Sequence, residues 1–347
     1  MSAEKLRRIR ASLLAWYQEK RRDLPWRRTR DPYAIWIAET MLQQTQVRTV
    51  VPYYRRFLKA FPSVTALDRA SEEEVLALWS GLGYYRRAKN LKKAARIIAR
   101  EHGGKIPRDL HSLRSLPGIG PYTAGALLSI AFDRPYPALD GNARRVLTRL
   151  FGVHGSKQLH DMAATLASCA QPGEWSQALM ELGATICVAQ NPLCSHCPVM
   201  RSCHAWRSGQ ARRAAPSAAT RRTAKVQWPL VVIQKGRKVL LRRRPASGLL
   251  AKLWEIPGGQ RKNGESLSAT LARCLNGLGD LAKDSVHVGE VRHSITYRRI
   301  RAPVFVLSRP KDKIGSAPGY RWIPISSLRR YPLSSLSLKA IELATQR

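Results

Sequence analysis

Acidic side chains are scarce: 23 Asp and Glu stand against 60 Lys and Arg in 347 residues, a formal charge of +37. So lopsided a balance points to a polyanion as partner. Long apolar runs are also missing. None reaches the ~18 residues of a membrane span. The charged first ten residues lead into no signal-peptide apolar block, so a soluble, cytosolic protein without membrane association is expected. No internal repeat is present. A disordered polycation is excluded, because 44% of the residues are hydrophobic and nine are Trp, enough to bury cores.

The chain length predicts two domains. Residues 1–205 carry +15, residues 206–225 carry +6 with no acid, and residues 226–347 carry +16. The charge therefore runs the length of the chain, as a ligand touching all of it would require, and a nucleic-acid duplex is such a ligand. A general basic bias that serves solubility is the alternative. From Leu6 to about Ala205 apolar residues recur at three- and four-residue spacing, as in Ile35–Tyr54, Glu72–Trp79, Ala88–His102 and Thr123–Phe132, which predicts a mainly α domain. Residues 206–225 form a basic linker. Beyond it, Pro229–Gln234, Val239–Leu241 and Ala302–Leu307 are strand candidates and Ser266–Leu278 a helix candidate, so an α+β domain is expected over 226–347.

Four of the six cysteines fall together as Cys187, Cys194, Cys197 and Cys203. In a cytosolic chain such thiols suggest a thiolate-bound metal centre. Zinc and an iron–sulfur cluster are the candidates; one close pair flanked by single cysteines favours the cluster. Cys169 and Cys274 stand alone as core candidates.

Leu113–Gly125 places Pro117-Gly118-Ile119-Gly120 between a helix ending near Leu116 and one starting at Pro121. The glycines let backbone amides approach a phosphate closely, which predicts a helix-hairpin-helix that grips the DNA backbone. Two acids stand out. Asp140, before Gly141-Asn142, is either an N-cap or a functional carboxylate. Glu39, alone in an apolar helix followed by Gln and Thr, faces either water or a groove. Two carboxylates in different environments can divide acid and electrostatic roles.

Together these features resemble the adenine DNA glycosylases of the MutY type, within the endonuclease III superfamily. The resemblance covers nearly the whole chain. It is carried by Leu24-Pro25-Trp26, the run Ala38–Gln46, Gly81-Leu82-Gly83-Tyr84-Tyr85, the hairpin, Leu139-Asp140-Gly141-Asn142 and the cysteine loop. It implies a helix-hairpin-helix glycosylase domain with a [4Fe–4S] cluster on the four cysteines, followed by a Nudix-like domain that recognises the lesion. The implied substrate is double-stranded DNA holding adenine opposite 8-oxoguanine or guanine. A monomer associated with the nucleoid through DNA is expected.

Carried onto matching positions, the resemblance makes Glu39 the acid that protonates adenine N7 and then helps water attack. Asp140 would stabilise the sugar cation, Asn142 would support the pair, and Tyr122 would pack near the sugar. Leu24, Trp26, Arg27, Gln171 and Gln177 match adenine-pocket positions, and Gln43 joins the substrate contacts. Gln44 and Tyr84 would wedge the duplex once adenine is flipped out. Gly118 and Gly120 would hold a phosphate.

One subclass marker and two departures from the family pattern refine the picture. Relatives that nick DNA carry Lys where this chain has Tyr122, so a monofunctional enzyme is implied, against a bifunctional glycosylase or a silent DNA-binding module. From Gly259, through Glu265, to Arg273 the start of a Nudix box is present, but the later glutamates are replaced, which argues against a magnesium-dependent hydrolase. Where the family has Phe-Ser-His against 8-oxoguanine, this chain has Ile295-Thr296-Tyr297, with Thr296 keeping the hydroxyl.

Overall fold

The structure, a computed structural model, describes residues 2–211, 223–248, 250–275, 284–295, 297–308 and 318–346. Most of the expected basic linker, and Thr296, lie outside the described residues. The chain forms two compact units, Met1–Ala70 with Lys89–Ala218, and Ser71–Ala88 with Ala219–Arg347.

The first unit is helical. Helix α1 (Ala3–Lys20), capped by the Ser2 side chain, buries Ile9, Leu13 and Tyr17 at four-residue spacing. A short turn, Pro25–Arg27, leads to α2 (Pro32–Leu42), which Asp31 caps. The apolar stretch expected across Ile35–Tyr54 is not one helix. It breaks after Leu42, Gln44 adopts a left-handed backbone (φ 58°), and α3 (Val47–Ala60) begins afterwards. The Gln-Gln-Thr-Gln run lacks the apolar side chains that would hold the turn against the core, so the chain is free to bend there.

Helices α4 (Val64–Arg69) and α5 (Glu72–Trp79) follow, α5 with a capping box between Ser71 and Glu74. After α6 (Arg86–Glu101), α7 (Leu110–Ser115) ends at Leu116 and α8 (Pro121–Ala126) starts on Pro121, as the hairpin motif predicts. The α8 turn runs on into a π turn, Leu127–Ala131. Helices α9 (Gly141–Phe151), α10 (Ser156–Ala167) and α11 (Pro172–Thr185) pack with α1 around Tyr17, Leu147, Leu166, Trp175 and Leu182. The short α12 (His204–Arg207) follows the cysteines.

In the second unit the described residues form a mixed seven-stranded sheet: β1 (Ala224–Gln227), β2 (Leu230–Lys235), β3 (Lys238–Arg243), β4 (Trp254–Glu255), β5 (Val286–Ile295), β6 (Arg298–Leu307) and β7 (Tyr320–Pro324). Strands β1 and β2 both run parallel to β6, at Ala224↔Arg298 and Leu230↔Val304, while β5 pairs antiparallel along β6. Strand β3 pairs antiparallel with β2, β4 and β7. Helix α13 (Leu267–Cys274) takes its cap from Ser266 and is shorter than the expected span to Leu278, whose last residues lie outside the described ones. Helix α14 (Ser335–Thr345) buries Leu336, Ala340 and Ile341 in the core formed by Leu230, Val232, Leu241 and Val304.

Candidate active site

A cleft of about 1480 Å³ opens in the first unit, walled by the Pro25–Arg27 turn, the bend after α2, the hairpin, the start of α9 and one face of α11. Of the residues expected to act on substrate, Leu24, Trp26, Arg27, Glu39, Gln43, Gln44, Tyr122, Asp140, Asn142 and Gln177 line it, as do Gly118 and Gly120. Gln171 stands apart, exposed at the cap of α11 and not among the cleft residues. Tyr84 belongs to the second unit.

Helix α2 carries Glu39 into the cleft with only 5% of its surface exposed. Its Oε2 accepts a 2.5 Å hydrogen bond from the Tyr122 hydroxyl. Burial raises the Glu39 carboxyl to about 7; the bond from Tyr122 and the charge of Arg27 pull it down, and Asp140 pushes it up. Tyr122, also 3.2 Å from Met180 Sδ, is held neutral because burial and the two carboxylates lift its hydroxyl well above the ordinary value.

Asp140 takes the N-cap role and also lies on the cleft. Its Oδ1 caps α9 by accepting from the Ala143 amide at 2.6 Å, and its side chain lines the same cleft. Burial raises this carboxyl too, opposed by the Ala143 and Asn142 amides and by Arg145. Asn142 turns its Oδ1 to Arg145 Nη2 at 2.8 Å, and Arg145 also donates to the carbonyls of Gly183 and Cys187. A Cβ on Gly183 would stand 2.8 Å from the Asn142 side chain, so α11 approaches the start of α9 this closely only because that residue is glycine. In the hairpin Gly118 has φ 84°, and a Cβ there would meet Asn90 at 2.8 Å.

Sequence reasoning missed Glu181. It lies four residues after Gln177 on the cleft face of α11, a spacing that would have pointed to it. It is 1% exposed and accepts from Arg22 N, Nε and Nη2 and from Arg27 Nη2, the last at 2.7 Å. Burial raises its carboxyl, but the bonds from Arg22 and Arg27 outweigh this and hold it at about 2. Tyr17 completes the cluster: its hydroxyl donates to Gln177 Oε1 at 3.2 Å and its ring lies 5.3 Å from the Arg27 guanidinium.

Cys187, Cys194, Cys197 and Cys203 line a second, smaller cavity together with Arg149 and Trp206. Among the described residues, no three His, Cys, Asp or Glu side chains are grouped so as to hold a metal ion. The donor chemistry nonetheless suits a thiolate-bound metal cation or cluster. Burial raises the Cys197 thiol to about 12 and that of Cys203 as well, so the thiolates need a cation to form. Arg149 faces this cavity, with Nη1 3.5 Å from Cys187 Sγ and a buried Nε that has no protein partner, as a negatively charged sulfur cage would favour.

The HhH-GPD superfamily base excision DNA repair protein model matches residues 37–172, and the NUDIX domain model matches residues 229–343. The adenine DNA glycosylase of Rattus norvegicus is 36% identical over 95% of the chain and 77% of the relative. That of Homo sapiens is 36% identical over 91% and 70%. Among solved structures, a thermostable thymine-DNA glycosylase aligns over 59% of the chain and 98% of its own, with 30% identity and a TM-score of 0.55.

Proposed function

The chain belongs to the adenine DNA glycosylases of the HhH-GPD superfamily, N-glycosylases of base excision repair, and we propose that it acts as a monofunctional hydrolase on adenine opposite 8-oxoguanine or guanine. The observation that carries the mechanism is the buried Glu39, raised to about 7 and bonded to Tyr122 in a cleft that also holds Asp140. Such a carboxyl is substantially protonated at neutral pH, as a general acid must be.

Glu39 gives its proton to N7 of the flipped adenine. As the C1′–N9 bond breaks, its electron pair leaves with the base and the sugar becomes oxocarbenium-like. The Asp140 carboxylate stabilises that cation, and the ionised Glu39 takes a proton from the water that attacks C1′. Asn142, fixed by Arg145, keeps the Asp140 turn in place. Leu24, Trp26, Arg27 and Gln177 form the adenine pocket, with Glu181 ordering Arg27. The hairpin amides of Gly118 and Gly120 hold a phosphate, and Gln44 and Tyr84 enter the duplex; both carry left-handed backbone, as protruding residues at tight bends often do.

Tyr122 offers no amine at the position where strand-nicking relatives carry Lys, which supports hydrolysis without lyase chemistry. In the second unit Glu265 is tied to Arg273 at 2.7 Å, and the residues after Arg273, beginning Cys274-Leu275, supply none of the further carboxylates of a Nudix box, which supports recognition of the opposite base over magnesium-dependent hydrolysis. The four cysteines would hold a [4Fe–4S] cluster; when bound, it ties four thiolates into one covalent knot that fixes the loop against Arg149 and Arg145.

Single-turnover adenine release from duplex with adenine opposite 8-oxoguanine tests the reading. Release by the wild type, its loss in Glu39→Gln, and no borohydride-trapped complex are the expected results. Undiminished release by Glu39→Gln would remove Glu39 from the mechanism, and a trapped complex would establish a Schiff base.

A further inference from the structure

Tyr84 is 48% exposed and has φ 50°, a conformation a tyrosine keeps only where its surroundings impose it. Several contacts that hold this loop lie within the second unit. The carbonyl of Gly83, just before it, accepts from the Trp79 indole at 3.0 Å and from Arg87 Nη2 at 3.2 Å. The Arg87 guanidinium, 9% exposed as a residue, lies 5.4 Å from the Trp79 ring centroid and 5.3 Å from that of Tyr84. One cation therefore faces both rings while its edge grips the backbone between them, a combination that a planar guanidinium permits and an ammonium does not.

The other end of the loop is held by one backbone oxygen. The Tyr85 hydroxyl accepts from the Gly81 amide and donates to the Leu333 carbonyl, both at 3.2 Å, and Ser80 Oγ donates to the same carbonyl at 2.5 Å. Leu333 is fully buried, bridged to Trp254, and directly precedes the cap of α14. Trp254 in turn donates to Glu73 at 2.7 Å and Lys252 pairs with Glu72 at 3.2 Å, fixing the start of α5 on the same surface.

We propose that Arg87 and the Leu333 carbonyl are positioning groups for Tyr84: they set its ring in the protruding pose before DNA arrives, so the sheet-containing unit takes part in base extrusion as well as in reading the opposite base. The proposal rests on the reading that Tyr84 enters the duplex. Its energetic logic is preorganisation, since a side chain already in its bound pose loses little freedom on insertion.

A double-mutant cycle in the full-length protein tests it, read as the single-turnover rate on duplex with adenine opposite 8-oxoguanine. Tyr84→Ala, Arg87→Met and the pair Ser80→Ala/Tyr85→Phe should each slow release by about tenfold or more, the scale of a misplaced active group. Adding Arg87→Met, or the pair, to Tyr84→Ala should slow it no further, and Arg87→Lys should recover part of the rate by restoring the charge. A variant that merely weakens the fold would slow the Tyr84→Ala background by the same factor, and that additive result overturns the proposal. So does an unchanged rate in Arg87→Met while Tyr84→Ala is slow. If Tyr84→Ala itself is unchanged, the duplex-entering role falls first and the positioning proposal with it.

Discussion

Two buried carboxylates in one cleft are driven in opposite directions by their neighbours. Glu39 sits among Ala38, Thr40 and Met41 on a fully buried stretch of α2, receives a hydrogen bond from a neutral phenol, and rises to about 7. Glu181 meets two guanidiniums and falls to about 2. The chemical step should therefore lose rate as pH rises through about 7, where Glu39 gives up its proton, and a pH profile of single-turnover release checks this. Glu39→Gln should lower that rate by about a hundredfold or more, the usual weight of a general acid. For Glu181 the sign is the reverse. Its folded value lies below the ordinary 4.5, so its contribution to stability is complete above 4.5 and is lost as pH falls toward 2. Glu181→Gln should cost about 3 kcal/mol in denaturant unfolding, because it leaves the nearly buried Arg27 without its counter-charge.

At the level of elements, what the sequence made legible was local and periodic. The hairpin was legible because Pro and Gly mark its turn directly, and α7 ends and α8 begins where they say. Glu39 and Asp140 could be singled out as solitary acids, and the helix and strand character of the two halves followed from spacing. The break inside Ile35–Tyr54 was harder to read: the polar Gln43–Gln46 run interrupts the apolar period, but a helix can carry a polar turn, and the bend shows in the end of α2 at Leu42 and the left-handed Gln44. Strand β5, with its exposed His287, Glu290 and Arg292, has too little apolar alternation to announce itself. The bond that ties α5 to Trp254 of β4, 181 residues later, leaves no local trace either. The same holds for α11 against α9, where contact depends on Gly183. Gly183→Ala should displace Asn142 and slow excision, while binding to duplex, measured by titration, stays close to wild type.

Across the whole molecule, charge and the cysteine loop act on different quantities. Arg145 and Arg149 both rise from α9, the helix that Asp140 caps, and both bond the segment at Cys187–Ala189. A cluster that fixes this segment therefore also fixes the helix bearing Asp140 and Asn142. On the proposal that the four cysteines hold such a cluster, loss of iron should lower the melting temperature and the excision rate together, tracked by visible absorbance against iron content. The net charge of +37 governs binding instead. Each phosphate neutralised by Lys or Arg releases counterions, so the logarithm of affinity should fall linearly with the logarithm of salt, with a slope of about −0.9 per contact. Those contacts meet the backbone of any duplex. The slope should thus be the same for fully paired DNA and for DNA with adenine opposite 8-oxoguanine, and the ratio of the two affinities should stay constant as salt rises. Fluorescence titrations at several salt concentrations measure both. A ratio that collapsed with salt would mean that discrimination itself is electrostatic, and the clefts and base contacts would lose their place as its source.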